Sequence, residues 1–192
     1  MTGWDRIKSP NAHLYNSLLT PNSHENLNKL TVIKVNDGLG TSMGTCFLSY
    51  EDITLILFSM TGVKSALEVN NNMTFLDLTV HQIEHLNKTN KVNVPLILMT
   101  PFNTCEDTLR IIKKYANQQL WIMTFNQLRY PHILKETLLP CPKWADDDKK
   151  HRYPPVHGDL YNALLHSGVL DQKISEGKEY LFVSSSDNLG AV

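Results

Sequence analysis

Leu30-Thr31-Val32-Ile33-Lys34-Val35 runs straight into Asn36-Asp37-Gly38-Leu39-Gly40. The first six residues are rich in β-branched side chains, as in a strand, and the next five are turn formers. Glycines after a strand let backbone N–H groups approach a phosphate or a base without a Cβ in the way. Working outward, Leu76, Val80, Ile83 and Leu86 recur at helical spacing, which predicts a helix over 75–88. Thr74 with Asp77 three residues on is the carboxylate variant of a capping box. Val94 to Met99 is a short apolar run, read as a buried strand. Cys105 to Ala116 reads as a second helix with Leu109, Ile112, Tyr115 and Ala116 on one face, and Thr104 and Asp107 repeat the cap pattern. Leu120 to Phe125 is a strand, 131–155 a polar excursion, Leu160 to Ser167 a helix ended by Gly168, and Tyr180 to Ser184 the last strand.

Strand and helix alternate, so the chain is predicted to be α/β with a mostly parallel sheet, since parallel strands need crossover helices. Residues 1–29 are polar and turn-rich and read as an N-terminal arm with one short helix; 30–192 form the α/β unit. In such folds ligands collect at the carboxyl ends of the strands. Those ends carry 36–40, Thr100-Pro101-Phe102-Asn103, Asn126-Gln127 and Ser185-Ser186-Asp187-Asn188, which together predict one polar ligand site.

Composition narrows the function classes. The 192 residues are 42% hydrophobic and 19% charged, which suits one globular domain with its own core. A formal net charge of −1 leaves no basic excess for a nucleic-acid backbone or an anionic membrane, so neither partner is expected. Cys46, Cys105 and Cys141 lack the close spacing of a metal knuckle or redox pair and read as reduced thiols. The first six residues do not resemble a signal peptide, and the apolar run Ile53 to Phe58 is far shorter than the ~20 residues of a membrane span. A cytoplasmic location is the expectation.

The string Val35-Asn36-Asp37-Gly38-Leu39-Gly40-Thr41-Ser42-Met43-Gly44, followed by Gly62-Val63-Lys64-Ser65, resembles the split signature of eukaryotic UTP–glucose-1-phosphate uridylyltransferases, also called UDP-glucose pyrophosphorylases. The resemblance continues through Thr74-Phe75-Leu76-Asp77-Leu78, Gln82 to Lys88, Phe102-Asn103-Thr104, Thr124-Phe125-Asn126-Gln127, Tyr153-Pro154-Pro155, His157-Gly158-Asp159 and Asp187 to Ala191. It implies the N-terminal part of a Rossmann-like nucleotidyltransferase domain, truncated at its C-terminal side. It also implies a Mg²⁺-dependent reaction of UTP with glucose 1-phosphate giving UDP-glucose and pyrophosphate. By resemblance, Gly38, Leu39 and Gly40 cradle the nucleotide and Lys64 is catalytic through neutralisation of phosphate charge. Gln127 and Gly158 read the uracil edge, Met99 lines the base pocket, His157 lies by the sugar phosphate, and Asp187 binds Mg²⁺.

Four motif positions depart from the family pattern: Asp37 for glycine, Val63 for proline, Val156 for glycine and Ser185 for asparagine. A carboxylate at position 37, ~4 Å from a triphosphate, would cost about 1 to 4 kcal/mol depending on the local dielectric. About 45–60 reads as an insertion, of either genuine or retained non-coding origin. The family's oligomerisation region and the rest of its sugar site are expected to be absent. The alternative is therefore a non-catalytic remnant that binds nucleotide weakly, at about −4 kcal/mol, or contacts a partner. A dinucleotide-dependent oxidoreductase is disfavoured, because no GxGxxG opens a helix.

Overall fold

The computed structural model describes residues 23–36, 63–140 and 152–190. A short helix α1 (Ser23–Asn28) leads into β1 (Leu30–Val35), the strand read from the opening sequence. Beyond residue 62 come a 3₁₀ turn (Lys64–Ala66) and a small hairpin of β2 (Glu68–Asn70) and β3 (Met73–Thr74). Asn71 and Asn72 take left-handed φ values of 49° and 60° there, which asparagine tolerates better than most residues. Then follow α2 (Phe75–Asn90), β4 (Leu96–Thr100), α3 (Cys105–Ile112) and β5 (Ile122–Asn126). A short ladder of β6 (Tyr130–Pro131) with β7 (Arg152–Tyr153), helices α4 (Leu160–His166) and α5 (Val169–Ser175), and β8 (Tyr180–Ser185) complete the order.

Four strands form one sheet in the order β5-β4-β1-β8, and every pairing is parallel. The chain steps one way from β1 to β4 to β5, then returns across β1 to add β8. The crossovers follow the same logic. Leu76, Val80 and Ile83 of α2 pack with Val32, Leu96 and Leu98 on one face of the sheet. Leu160, Ala163, Leu164 and Val169 pack with Ile33, Val35, Ile97 and Met99 on the other. Alternate residues of β1 and β4 thus serve two cores, so Leu96 to Met99 reads as a continuous apolar run and β1 is broken only by the buried Thr31 and Lys34. Among the described residues no helix is long and apolar enough to cross a membrane.

The two predicted helix caps came out differently. Thr74 is extended at φ −85° and ψ 165°, and its hydroxyl accepts from the Asp77 N–H while Asp77 accepts from the Thr74 N–H, a complete capping box. Asp77 also accepts from Lys114 Nζ and Tyr115 Oη. Burial pushes its carboxyl up, but these hydrogen bonds outweigh burial and hold it below the usual carboxylate range. Thr104 sits at φ −119° and ψ 3°, makes no side-chain cap bond, and Asp107 pairs with Arg110 instead. The expected apolar face of α3 also needs correction. Leu109 is 41% exposed, whereas Thr108 is fully buried. The first turn of α3 lies over the polar strand ends, where Asn36 donates to Thr108 Oγ1 at 3.3 Å. Only the later residues Ile111, Ile112 and Tyr115 reach the apolar core, Tyr115 from a separate 3₁₀ turn at Lys113–Tyr115. Gly168, at φ 74°, ends α4 as expected, but a further helix, α5, starts immediately after it.

Candidate active site at the carboxyl edge of the sheet

In an open parallel sheet the strand order reverses at one place, and the crossovers on its two sides leave on opposite faces. The crevice between them is a natural ligand site. Here the reversal falls between β1 and β8. Hydrogen bonds extend the sheet beyond each strand end and fix the edge. Asn36 N–H donates to the Met99 carbonyl at 2.8 Å, Gln127 N–H to the Thr100 carbonyl at 2.9 Å, and Ser186 N–H to the Val35 carbonyl at 3.0 Å.

At the β8 end the site is charged. Lys64, which opens the 3₁₀ turn, forms an ion pair with the Asp187 carboxylate, across 123 positions of sequence. Their side chains are 19% and 24% exposed, so the pair is reachable from solvent. Ser185 Oγ donates to the other Asp187 oxygen. Lys64 foremost, then Ser185, holds the Asp187 carboxyl below its ordinary range. The turn bearing Asp187 is tied down on two sides: Gln82 donates to the Leu189 carbonyl at 3.1 Å, and buried Lys34 to the Asn188 carbonyl at 3.4 Å. Burial pushes the Lys34 ammonium pKa down.

At the β5 end the residues named for the base, Gln127 and Gly158, carry no charge; the exposed Arg129 guanidinium beside them lies over the Phe102 ring at 5.0 Å. Gln127 directly follows the strand and is 3% exposed. His157 and Gly158 lie in the 3₁₀ turn Val156–Asp159, and both are exposed. A Cβ built on Gly158 would meet no atom within 4 Å, so the fold itself does not demand glycine there. Asp159 joins the two segments: one oxygen accepts from the Leu128 N–H at 2.7 Å, the other from Tyr130 Oη at 3.5 Å. With four strands spaced ~4.8 Å apart, the two ends lie ~14 Å from each other along the edge. Only an extended polar ligand would touch both.

The sequence profile of UTP–glucose-1-phosphate uridylyltransferase matches residues 2–192. The chain belongs to that family. It is 48% identical to the probable UTP–glucose-1-phosphate uridylyltransferase of Schizosaccharomyces pombe, over 98% of this chain and 35% of that protein. It is 46% identical to the Saccharomyces cerevisiae enzyme, over 98% and 36%. A Leishmania major UDP-glucose pyrophosphorylase in complex with UDP-glucose superimposes with a TM-score of 0.72 at 33% identity, covering 97% of this chain and 36% of that one. The chain thus spans about a third of the length of the uridylyltransferases it matches.

The positions named by resemblance divide between the two ends. Lys64 and Asp187 meet at the β8 end; Gln127, His157 and Gly158 gather at the β5 end. Met99 is different: it is completely buried among Ile33, Val35, Ile97 and Phe125, a core residue beneath the edge. Gly38, Leu39, Gly40 and Asp37 lie outside the described residues, as do 45–60, Cys46 and Cys141. Of the four departures, two show their consequences. Val63 adopts φ −65°, the value a proline would impose, so the backbone entering Lys64 is one that valine and proline can both take. Ser185 turns its hydroxyl onto Asp187. The sequence reading missed Asp159 and Asn36. Asp159 stood inside the quoted His157-Gly158-Asp159 string without a role. Asn36 stood beside the glycines, and its side chain links Thr108 of α3 to Ser186 beyond β8.

Proposed function

We propose that this chain supplies the uridine-nucleotide site of a UTP–glucose-1-phosphate uridylyltransferase. The reaction joins glucose 1-phosphate to the α-phosphorus of UTP and releases pyrophosphate. The observation that carries the reading is the two-ended carboxyl edge, with an amide and a glycine at Gln127 and Gly158 and an ion pair at Lys64 and Asp187. A nucleotide has the same division, a neutral base and a charged phosphate chain. Gln127 offers an amide donor and acceptor to the uracil edge. Exposed Gly158 lets a base lie against the backbone where a side chain would stand. Lys64 supplies positive charge for phosphate oxygens, which stabilises in-line transfer without a protein nucleophile.

The donor set at Asp187 fits Mg²⁺. Its carboxylate oxygens are the hard ligands this ion prefers, and among the described residues no cluster of three metal-binding side chains surrounds it. Magnesium sites of this kind take one or two carboxylates and complete the shell with phosphate oxygens and water. When bound, the ion would neutralise phosphate charge.

A second reading, nucleotide binding without turnover, is favoured by Ser185. Its hydroxyl proton is committed to Asp187, so it is not available to a sugar hydroxyl while that bond holds. The deciding experiment mixes the purified chain with UTP, glucose 1-phosphate and Mg²⁺ and separates the products by chromatography. Calorimetry with UTP, and ATP as control, runs alongside. UDP-glucose formation supports transferase function in this chain. UTP binding without product supports the second reading, and equal or absent binding of both nucleotides contradicts both.

A further inference from the structure

Lys64 and Asp187 are the residues assigned above to phosphate and cation, yet they pair with each other. We propose that this ion pair is an exchange switch that couples nucleotide and divalent-cation binding. The inference rests on the functional reading above and concerns its regulation. While Lys64 holds Asp187, the ammonium is partly withdrawn from an incoming phosphate, and the carboxylate is partly withdrawn from an incoming cation. A phosphate that draws Lys64 away releases Asp187; a cation that takes Asp187 releases Lys64. Each ligand therefore removes the obstacle to the other.

Three features of the structure favour exchange over a fixed pair. The two residues come from separate segments, a 3₁₀ turn and the turn after β8, so one can move without the other. The pair is partly exposed, so solvent can take either partner as it opens. Asp187 is retained on its own side, because Ser185 holds its second oxygen and Lys34 and Gln82 fix the following carbonyls. The carboxylate stays in place when the lysine leaves. Linkage requires the effect to be reciprocal, and couplings of this kind are on the order of 5- to 150-fold.

The test uses UDP-glucose, whose diester phosphates bind free metal weakly, and Mn²⁺ as the paramagnetic probe. UDP-glucose affinity is measured by calorimetry in EDTA and in Mg²⁺; Mn²⁺ affinity is measured by EPR with and without UDP-glucose. The wild-type chain is expected to show mutual enhancement of about tenfold. Asp187→Asn should bind UDP-glucose in EDTA more tightly than wild type, and Lys64→Met should bind Mn²⁺ alone more tightly. Both gains are results a misfolded variant cannot produce. In Lys64→Met the enhancement of Mn²⁺ binding by UDP-glucose should fall at least fivefold. Retention of the full enhancement in Lys64→Met would overturn the switch, because direct bridging of metal to phosphate would then carry the coupling. If UDP-glucose binds equally to all three proteins in EDTA, the switch falls and the nucleotide reading stands. If UDP-glucose binds to none, both fall.

Discussion

The β5 end and the β8 end of the carboxyl edge are built in opposite ways. At β5 Gln127 and Asp159 are each 3% exposed, and Asp159 is structural, since it accepts the Leu128 N–H. At β8 the central pair is partly exposed, and its partners come from distant segments. A buried carboxylate that satisfies a backbone donor belongs to the fold, whereas an ion pair still open to solvent contributes little to stability and can be exchanged for ligand contacts. The lesson is that one site holds a fixed half and an exchangeable half.

The sharpest contrast is in stability. Asp159→Ala leaves the Leu128 N–H without its acceptor and should cost about 1–3 kcal/mol in urea unfolding. Lys64→Met should cost less than about 1 kcal/mol in the same assay. Equal losses for the two would erase the distinction. Function should reverse the order of tolerance for Lys64. Its removal should weaken UTP binding roughly tenfold, about 1.4 kcal/mol, and reduce the salt dependence of that binding.

Gly158→Ala sharpens the fixed half. Because a Cβ there meets no protein atom within 4 Å, the thermal midpoint should stay within about a degree. UTP affinity should fall about fivefold, near 1 kcal/mol, if a base lies against that backbone. Unchanged affinity would remove Gly158 from the site.

The smallest effect is a pH dependence confined to the exchangeable half. The folded-state pKa of Asp187 is depressed, chiefly by Lys64, so its contribution is present above the unfolded carboxylate value of about 3.9 and is lost as pH falls through the folded value. The stability difference between wild type and Asp187→Asn, at most about 1 kcal/mol after solvent screening, should be visible at pH 7 and shrink below pH 4. A difference that grows on acidification would have the wrong sign.

The four central strands, the parallel sheet and the carboxyl edge were legible in the sequence because β1 and β4 serve two cores and carry β-branched and apolar residues on both faces. The α2 cap was legible because Thr74 and Asp77 act locally. The same spelling at Thr104 and Asp107 failed because a cap depends on backbone angles that spacing does not encode. The face of α3 was misread because its first turn covers polar strand ends, and the periodicity of the helix carries no information about what lies beneath it. Lys64 and Asp187 were each named by resemblance, but their pairing joins segments 123 positions apart and emerged only from the fold. Asp159 escaped notice because its role is to hold two segments together.

The claim that one nucleotide spans both halves has a direct test in amide chemical shifts. On titration of the ¹⁵N-labelled chain with UTP, Gln127 and Gly158 should shift together with Lys64 and Asp187, on one binding curve. Shifts at only one of these ends, or confined to the opposite edge of the sheet around Trp121, would contradict it.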